Sequence, residues 1–157
     1  MEVLVYMTIL TLILSIILGS LMVVAEIQER VVAGKDLSKS ATISLDRVLR
    51  EARLSESINF EETVFDDPEG VLFLEREDTE GGIRFYLSEG SLYVEKEGGV
   101  ARLNHKNTEI EYFYLREMTT ESFKAVKIEI KISYPYSDGS IEQVFQSTAI
   151  LRGSYGN

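Results

Sequence analysis

The sequence predicts an α+β protein in which one long N-terminal helix packs on an antiparallel β-sheet. Three observations predict this fold. An uncharged apolar stretch runs from Val3 to Ala25, apolar residues then recur every three or four positions, and the second half alternates with period two between glycine-containing turns. A sheet with one apolar face needs cover, and the amphipathic part of the helix supplies it.

The first element is the apolar stretch. Its 23 uncharged residues form a helix about 34 Å long, enough for a hydrocarbon core of roughly 30 Å. A secretory signal peptide is the competing interpretation, but the run is too long for one and no basic residue precedes it. Residues 1–25 are therefore predicted as the transmembrane or filament-core half of the helix, and residues 26–157 as a globular domain. The hydroxyl groups inside the stretch can bond back to helix carbonyls; they belong to Thr8, Thr11, Ser15 and Ser20.

The same helix continues beyond the apolar stretch. No proline interrupts residues 1–60, and we predict one helix from about Glu2 to about Ser57, roughly 80 Å long. Its second half carries one apolar or small-residue seam: Ile27, Val31, Gly34, Ser38, Ala41, Leu45, Val48 and Ala52. Four charged residues near its end fall largely off that seam: Arg47, Arg50, Glu51 and Arg53.

The second half of the chain begins with an acid-rich loop, Asn59–Gly70, and then reads as short strands. The predicted strands are 71–74, 83–87, 92–94, 100–103, 109–115, 126–132 and 141–151. The turns between them are marked by Gly81-Gly82, Glu89-Gly90, Gly98-Gly99 and Asp138-Gly139. Together they predict one antiparallel sheet of about five to seven strands.

Charge is unevenly distributed along the chain, whose net charge is −10. Residues 1–25 carry −1, residues 26–60 carry six basic and six acidic side chains, and residues 61–157 carry ten basic and nineteen acidic ones, hence −9. An acidic body repels phosphate backbones, so direct nucleic-acid binding is not expected. Basic and acidic residues are mixed after the apolar stretch, and charge alone leaves its membrane orientation undecided.

Several residues are of a type that could form a site. His105, the single histidine, is expected at the surface or in a turn, because the cysteine-free chain offers it few metal-binding companions. Asp66, Asp67 and Glu69 do not have the spacing of a calcium loop, so a solvated acidic loop is favoured. No phosphate loop or nucleophile elbow is visible, and we expect no enzyme, cofactor or metal. Core and cross-strand packing is favoured over a ligand platform for the aromatic group of Tyr112, Phe113, Tyr114, Tyr134 and Tyr136.

The beginning and end of the sequence suggest a family. The segment MEVLVYMTIL places Glu2 directly before an unbroken apolar helix, and the segment Ser147–Arg152 reads as an apolar closing strand ending in Leu-Arg. With the helix-then-sheet order, the whole chain resembles a type IV pilin-like protein, in particular a minor pilin or minor pseudopilin. The apolar helix lacks the central proline of many major pilins, which favours a minor subunit.

The resemblance implies a mechanism. Subunits of that family wait in the cytoplasmic membrane as single-pass proteins with an extracytoplasmic globular domain, and their helices then pack with other pilin or pseudopilin subunits into a filament. Glu2 would be an assembly residue that pairs with the N-terminal amine of a neighbour, since an unpaired glutamate in an apolar bundle is costly. A prepilin peptidase cuts a leader and the new terminus is methylated; we expect such a leader upstream of Met1.

One alternative stays open at this stage. The chain would then be a non-polymerising single-pass membrane protein with an extracytoplasmic binding domain, and Glu2 a charge at the membrane rim. The absence of a flexible linker after the apolar stretch favours the filament subunit. The sequence does not distinguish a pilus from a secretion or DNA-uptake machine.

Overall fold

A computed structural model describes residues 2–76, 81–119, 124–136 and 139–151. One long helix packs on antiparallel sheets, which confirms the predicted α+β class. The helix α1 spans Glu2–Leu54. The strands are β1 (Ser57–Ile58), β2 (Val71–Glu75), β3 (Ile83–Ser88), β4 (Ser91–Lys96), β5 (Gly99–Arg102), β6 (Glu109–Thr119), β7 (Lys124–Tyr136) and β8 (Gly139–Ile150).

Helix α1 has 53 residues and is about 80 Å long. It ends three residues earlier than predicted, because the backbone after Leu54 leaves the helical hydrogen-bond pattern and pairs with β2. The Ser55 hydroxyl donates to the Glu51 carbonyl (2.7 Å), which satisfies one carbonyl of the last turn. Ser57, the predicted last residue of the helix, instead pairs with β2, and with Ile58 it forms the short strand β1.

The described strands form two antiparallel sheets, so the prediction of one sheet was wrong. Strands β1 to β5 follow one another in sheet order, and β6, β7 and β8 form a second sheet. Asn104 explains the break. Its buried side chain accepts from the Leu92 backbone N–H (3.1 Å) and donates to the Thr108 carbonyl (2.7 Å), so the chain turns away after β5 and β6 begins a new ladder.

Part of the predicted acidic loop joins the two sheets. The Gly70 N–H donates to the Phe113 carbonyl (3.0 Å), and the Phe113 N–H donates to the Pro68 carbonyl (2.8 Å). The Asp66 N–H also reaches the Leu115 carbonyl (2.9 Å). Residues 66–70 therefore lie along β6, and a Cβ added at Gly70 would lie 2.5 Å from the Phe113 carbonyl oxygen. Only glycine permits that approach.

The core lies between α1 and the sheets, with α1 packing mainly on β7 and β8. The predicted seam is confirmed from Ala41 onward. Ser38 was assigned to it wrongly: Ser38 is exposed and Leu37 takes its place. Ile27 and Val31 are exposed because the sheets cover the helix only from about Ala33. The buried residues of α1 are Ala33, Leu37, Ser40, Ala41, Ser44, Leu45, Val48, Leu49, Glu51 and Ala52.

Glu51 is the second departure from the predicted seam. Sequence reasoning placed it off the seam because it is charged, yet only 3% of it is exposed. Its carboxylate is surrounded by cations: Lys96 Nζ lies at 2.7 Å, and guanidinium nitrogens of Arg47 and Arg76 each lie at 3.1 Å. A buried carboxylate is tolerated when it is paired and hydrogen-bonded. This cluster attaches the end of α1 to the first sheet.

Candidate functional site: the exposed apolar half of the helix

The N-terminal half of α1 has no cover. Every residue from Glu2 to Val32 is exposed, and the large apolar side chains among them are 47–77% exposed. Burying one such side chain stabilises a protein by about 1.5–3 kcal/mol. An apolar rod of this length is therefore stable only when lipid or other protein surrounds it, and its length and composition are sufficient to cross a membrane.

The polar groups of this half do not oppose an apolar environment. The hydroxyls of Thr8 and Thr11 donate to the carbonyls four residues before them, at 2.8 and 2.7 Å, and Ser20 does the same at 3.0 Å. This confirms the predicted back-bonding for those three residues. The backbone is helical throughout, so its N–H groups after the first turn and its C=O groups are satisfied within the helix.

Glu2 lies in the first turn of α1 and is exposed. Its carboxylate has no partner among the residues that the structure describes. The start of a helix favours a negative charge by about 0.3–1 kcal/mol, because unpaired backbone N–H groups point that way. That term is far too small to hold a carboxylate inside an apolar bundle. Within such a bundle Glu2 would need a cation that the described residues do not supply.

The globular domain reaches down the helix almost to the apolar segment. The Arg30 guanidinium lies 5.8 Å from the centre of the Tyr136 ring on β7, and it also pairs with Glu26 at 2.8 Å. The Glu26–Arg30 pair lies within the helix, and the contact with Tyr136 is five residues after the apolar stretch ends at Ala25. Helix α1 is continuous across this junction, so no loop separates the apolar half of the helix from the half that is packed on the sheets.

The face of α1 opposite the sheets is cationic, a feature that sequence reasoning missed. The exposed residues Lys35, Lys39, Asp46, Arg50 and Arg53 fall within a sector of about 60° at 100° per residue. We call this set the cationic face. Its four basic side chains form no ion pair with the described part of the chain. The helical spacing of these residues is visible in the sequence. It identifies an exposed face only once the buried side of the helix is known.

The remaining candidates fall elsewhere. His105 is exposed in a turn, as predicted, and its backbone N–H donates to the Ser40 hydroxyl (2.9 Å). Asp66 accepts from Tyr114 and pairs with Arg116, while Asp67 caps its own turn through the Glu69 N–H (2.7 Å). Within residues 2–76, 81–119, 124–136 and 139–151, no three histidine or acidic side chains form a metal-binding group.

The aromatic group divides between the two faces of the second sheet. Phe113 is fully buried in the core and Tyr134 packs against it, as predicted. Tyr136 meets Arg30. Tyr112 and Tyr114 instead face outward, because a β-bulge between Ile110 and Tyr112 shifts the alternation of β6.

No protein-family model matches the sequence, and no curated protein or solved structure is significantly similar to it. The architecture itself is pilin-like: one long N-terminal helix, apolar in its first half, packs on antiparallel sheets through its second half.

Proposed function

We propose that this protein is a minor structural subunit of a type IV pilus-like or type II secretion-like filament. Before assembly it is anchored in the cytoplasmic membrane by the apolar half of α1, with the globular domain on the extracytoplasmic side. The observation that carries the proposal is the continuity of α1: 31 exposed residues, 2–32, extend without a break from a half that is fixed to the sheets. A continuous helix fixes the position of its apolar half relative to the globular domain. A filament requires such a fixed relation, whereas a simple membrane anchor does not.

Glu2 supports the proposal by its position. In a bundle of such helices its carboxylate is stabilised by a cation of a neighbouring subunit, such as an N-terminal amine, and this pairing fixes the axial register. An ion pair in an apolar environment accepts one register and penalises the others. We therefore assign Glu2 the assembly role, and the proposal includes no catalytic, cofactor-binding or metal-binding residue.

The cationic face supports it independently of Glu2. Four basic side chains and Asp46 lie opposite the sheets, while residues 61–157 carry a net charge of −9. A face that stays uncovered in the single chain is suited to pack against the acidic globular domain of a neighbouring subunit. Complementary charge of this kind orients subunits as they meet and selects between alternative arrangements.

Photo-crosslinking in native membranes tests the proposal. A photoreactive residue is placed at Leu10, Leu14 or Ile17, with the exposed Val100 on β5 as a matched position outside the helix. The helix positions are expected to crosslink to apolar N-terminal helices of other filament subunits, identified by the masses of the joined peptides. Adducts with lipid alone at all three positions would contradict the proposal and favour the non-polymerising membrane-anchored binding protein.

A further inference from the structure

The outer face of the second sheet carries a groove that the filament proposal does not use. It lies on the side of β6 and β7 away from α1, where residues 66–70 run beside β6, and it encloses about 360 Å³. That volume is within the range of small-molecule sites, roughly 300–1,000 Å³. The lining residues are Pro68, Tyr112, Tyr114, Arg116, Lys127 and Glu129.

The two tyrosine rings of the groove are held by their hydroxyls. Tyr112 donates to Glu129 Oε1 (2.8 Å), and Tyr114 donates to Asp66 Oδ1 (3.0 Å). Burial and the bond to Glu129 raise the pKa of Tyr112, so its hydroxyl stays protonated and keeps donating. Rings that are fixed before a ligand arrives lose little conformational freedom on binding. They present two amphipathic rings on one face of β6, and the Arg116 guanidinium lies 5.8 Å from the centre of the Tyr114 ring.

Asp66, whose carboxylate holds two of the lining side chains, has an uncommon backbone conformation. Its φ is +55°, a left-handed value that aspartate tolerates better than most residues but still at a cost. The bond from its N–H to the Leu115 carbonyl (2.9 Å) holds it there. In this position its carboxylate serves both Tyr114 and the Arg116 Nε, which lies at 3.6 Å.

Two cations meet at one end of the groove. Arg116 on β6 and Lys127 on β7 are direct cross-strand partners, an arrangement that is unfavourable for like charges. Asp66 offsets the charge of Arg116, but Lys127, a half-buried residue, has no ion-pair or hydrogen-bond partner among the described residues. In a chain with net charge −10, an unpaired cation beside a second one marks a place where an anionic group is stabilised.

We propose that this groove binds a carboxylated sugar, with the sugar ring on Tyr112 and Tyr114 and its carboxylate on Lys127 and Arg116. A small inorganic anion would leave both rings unused. An apolar ligand would cover Lys127 and Glu129 without giving them hydrogen bonds, which is costly. A hydroxyl-rich ring with one carboxylate meets all three requirements. Its carboxylate pairs with Lys127, its hydroxyls donate to Glu129, and its apolar face packs on the tyrosine rings. The proposal does not depend on the filament function.

Calorimetric titration of the full chain in detergent micelles tests this inference. The probe is a trimer of galacturonic acid, and the neutral galactose trimer is its control. We expect saturable binding of one acidic trimer per chain, at least about tenfold tighter than that of the neutral one, because the carboxylate–Lys127 contact is charge-assisted. Absence of saturable binding, or equal affinity for the two trimers, would overturn the proposal.

Variants locate the site. Lys127→Met keeps the length of the side chain and is expected to weaken binding about tenfold, as is Tyr112→Leu, which removes the flat ring. Lys106→Met changes an exposed lysine in the turn after His105 and is expected to leave the affinity unchanged. Circular dichroism and thermal melting confirm that each variant is folded. An equal loss in Lys106→Met, or displacement of the trimer by equimolar sodium sulfate, would show a general charge effect and overturn the proposal.

Discussion

Lys96 Nζ on β4 lies 2.7 Å from Oε1 of Glu51, a carboxylate that is nearly inaccessible to solvent on α1. The contact joins positions 45 residues apart and attaches the end of the helix to the first sheet. Arg47 and Arg76 complete the cluster, each at 3.1 Å from the same carboxylate. The cluster places the first sheet relative to a helix that otherwise packs mainly on the second sheet.

Replacing Glu51 by glutamine is expected to destabilise the fold by about 2 kcal/mol, because hydrogen bonds to charged groups contribute roughly 1.5–3 kcal/mol. The three cations are partly solvated, which keeps the loss below that of a fully buried pair. Urea unfolding of the full chain measures the change. Glu56→Gln, the same substitution at an exposed position, serves as the control and is expected to change stability by less than about 0.5 kcal/mol. Equal stability of the two variants would show that the cluster contributes nothing.

Ser44 is expected to be replaceable at a gain. It is fully buried against the sheets, and its hydroxyl has no hydrogen-bond partner among the residues described. Ser44→Ala removes an unsatisfied polar atom and raises helix propensity, so we expect stabilisation of about 1 kcal/mol. Ser38→Ala on the exposed side isolates the propensity part, a few tenths of a kcal/mol. A thermal midpoint for Ser44→Ala below that of the parent would contradict this prediction.

A carboxylate–lysine–carboxylate cluster on the outer face of the second sheet predicts a pH dependence. Lys131 Nζ lies 2.6 Å from Glu111 and 2.8 Å from Glu142, so one cation joins all three strands. Its hydrogen bond, and then its charge, lower the pKa of Glu142 below the ordinary 4.5. A carboxyl with a lowered folded pKa stabilises the fold above its unfolded pKa, and this contribution is lost as the pH falls through the folded pKa.

Carbon-13 titration of the Glu142 carboxyl checks that direction. We expect a midpoint below 4.5 in the parent and an upward shift in Lys131→Met, whose stability then falls less on acidification below about pH 4.5. Lys106→Met, which removes an exposed turn lysine, is the control and should leave the midpoint where it is. An unchanged midpoint in Lys131→Met would refute the assignment.

Elements with a local sequence pattern were predictable, whereas contacts between separate elements were not. The continuous helix and most strands followed from local periodicity, and the two-residue turn at Glu89-Gly90 has the positive φ values that its type requires, 47° and 68°. The separation into two sheets accompanies hydrogen bonds of the buried Asn104 side chain with the backbone of Leu92 and Thr108, and the strand periodicity does not reveal these bonds. Glu51 looked like a surface residue because its partners, Arg76 and Lys96, are remote in sequence.

A shift of one residue in the register of β6 determines which side chains face the groove, so the sequence pattern did not predict it. The alternation in β6 places either the tyrosines or their neighbours in the core, and only the bulge at Glu111 decides between them. Glu2 was recognisable because its setting, one acid before a long apolar run, is entirely local. The assembly role proposed for Glu2 depends on contacts with neighbouring subunits, which the sequence of one chain does not contain.

The cationic face predicts a charge effect on assembly. Replacing both Lys39 and Arg50 by glutamate places two acids toward the acidic domain of a neighbour. We expect the amount of the chain recovered in sheared filaments to fall at least about tenfold, since like charges at an interface cost several kcal/mol. Reversal of Lys106, in an exposed turn of the globular domain, is the control. Recovery of the double variant at the level of the parent would remove this face from the assembly interface.

The central claim is that Glu2 guides α1 into a filament, and the amount of the chain recovered in sheared surface filaments tests it most directly. Three forms are compared in the native host: the parent, Glu2→Ala, and Glu26→Ala, which changes an exposed acid of the same helix. We predict that the parent and Glu26→Ala enter the filament fraction equally and that Glu2→Ala stays in the membrane at an equal total amount. Recovery of Glu2→Ala in filaments at the level of the parent, or confinement of the parent to the membrane, would contradict the account.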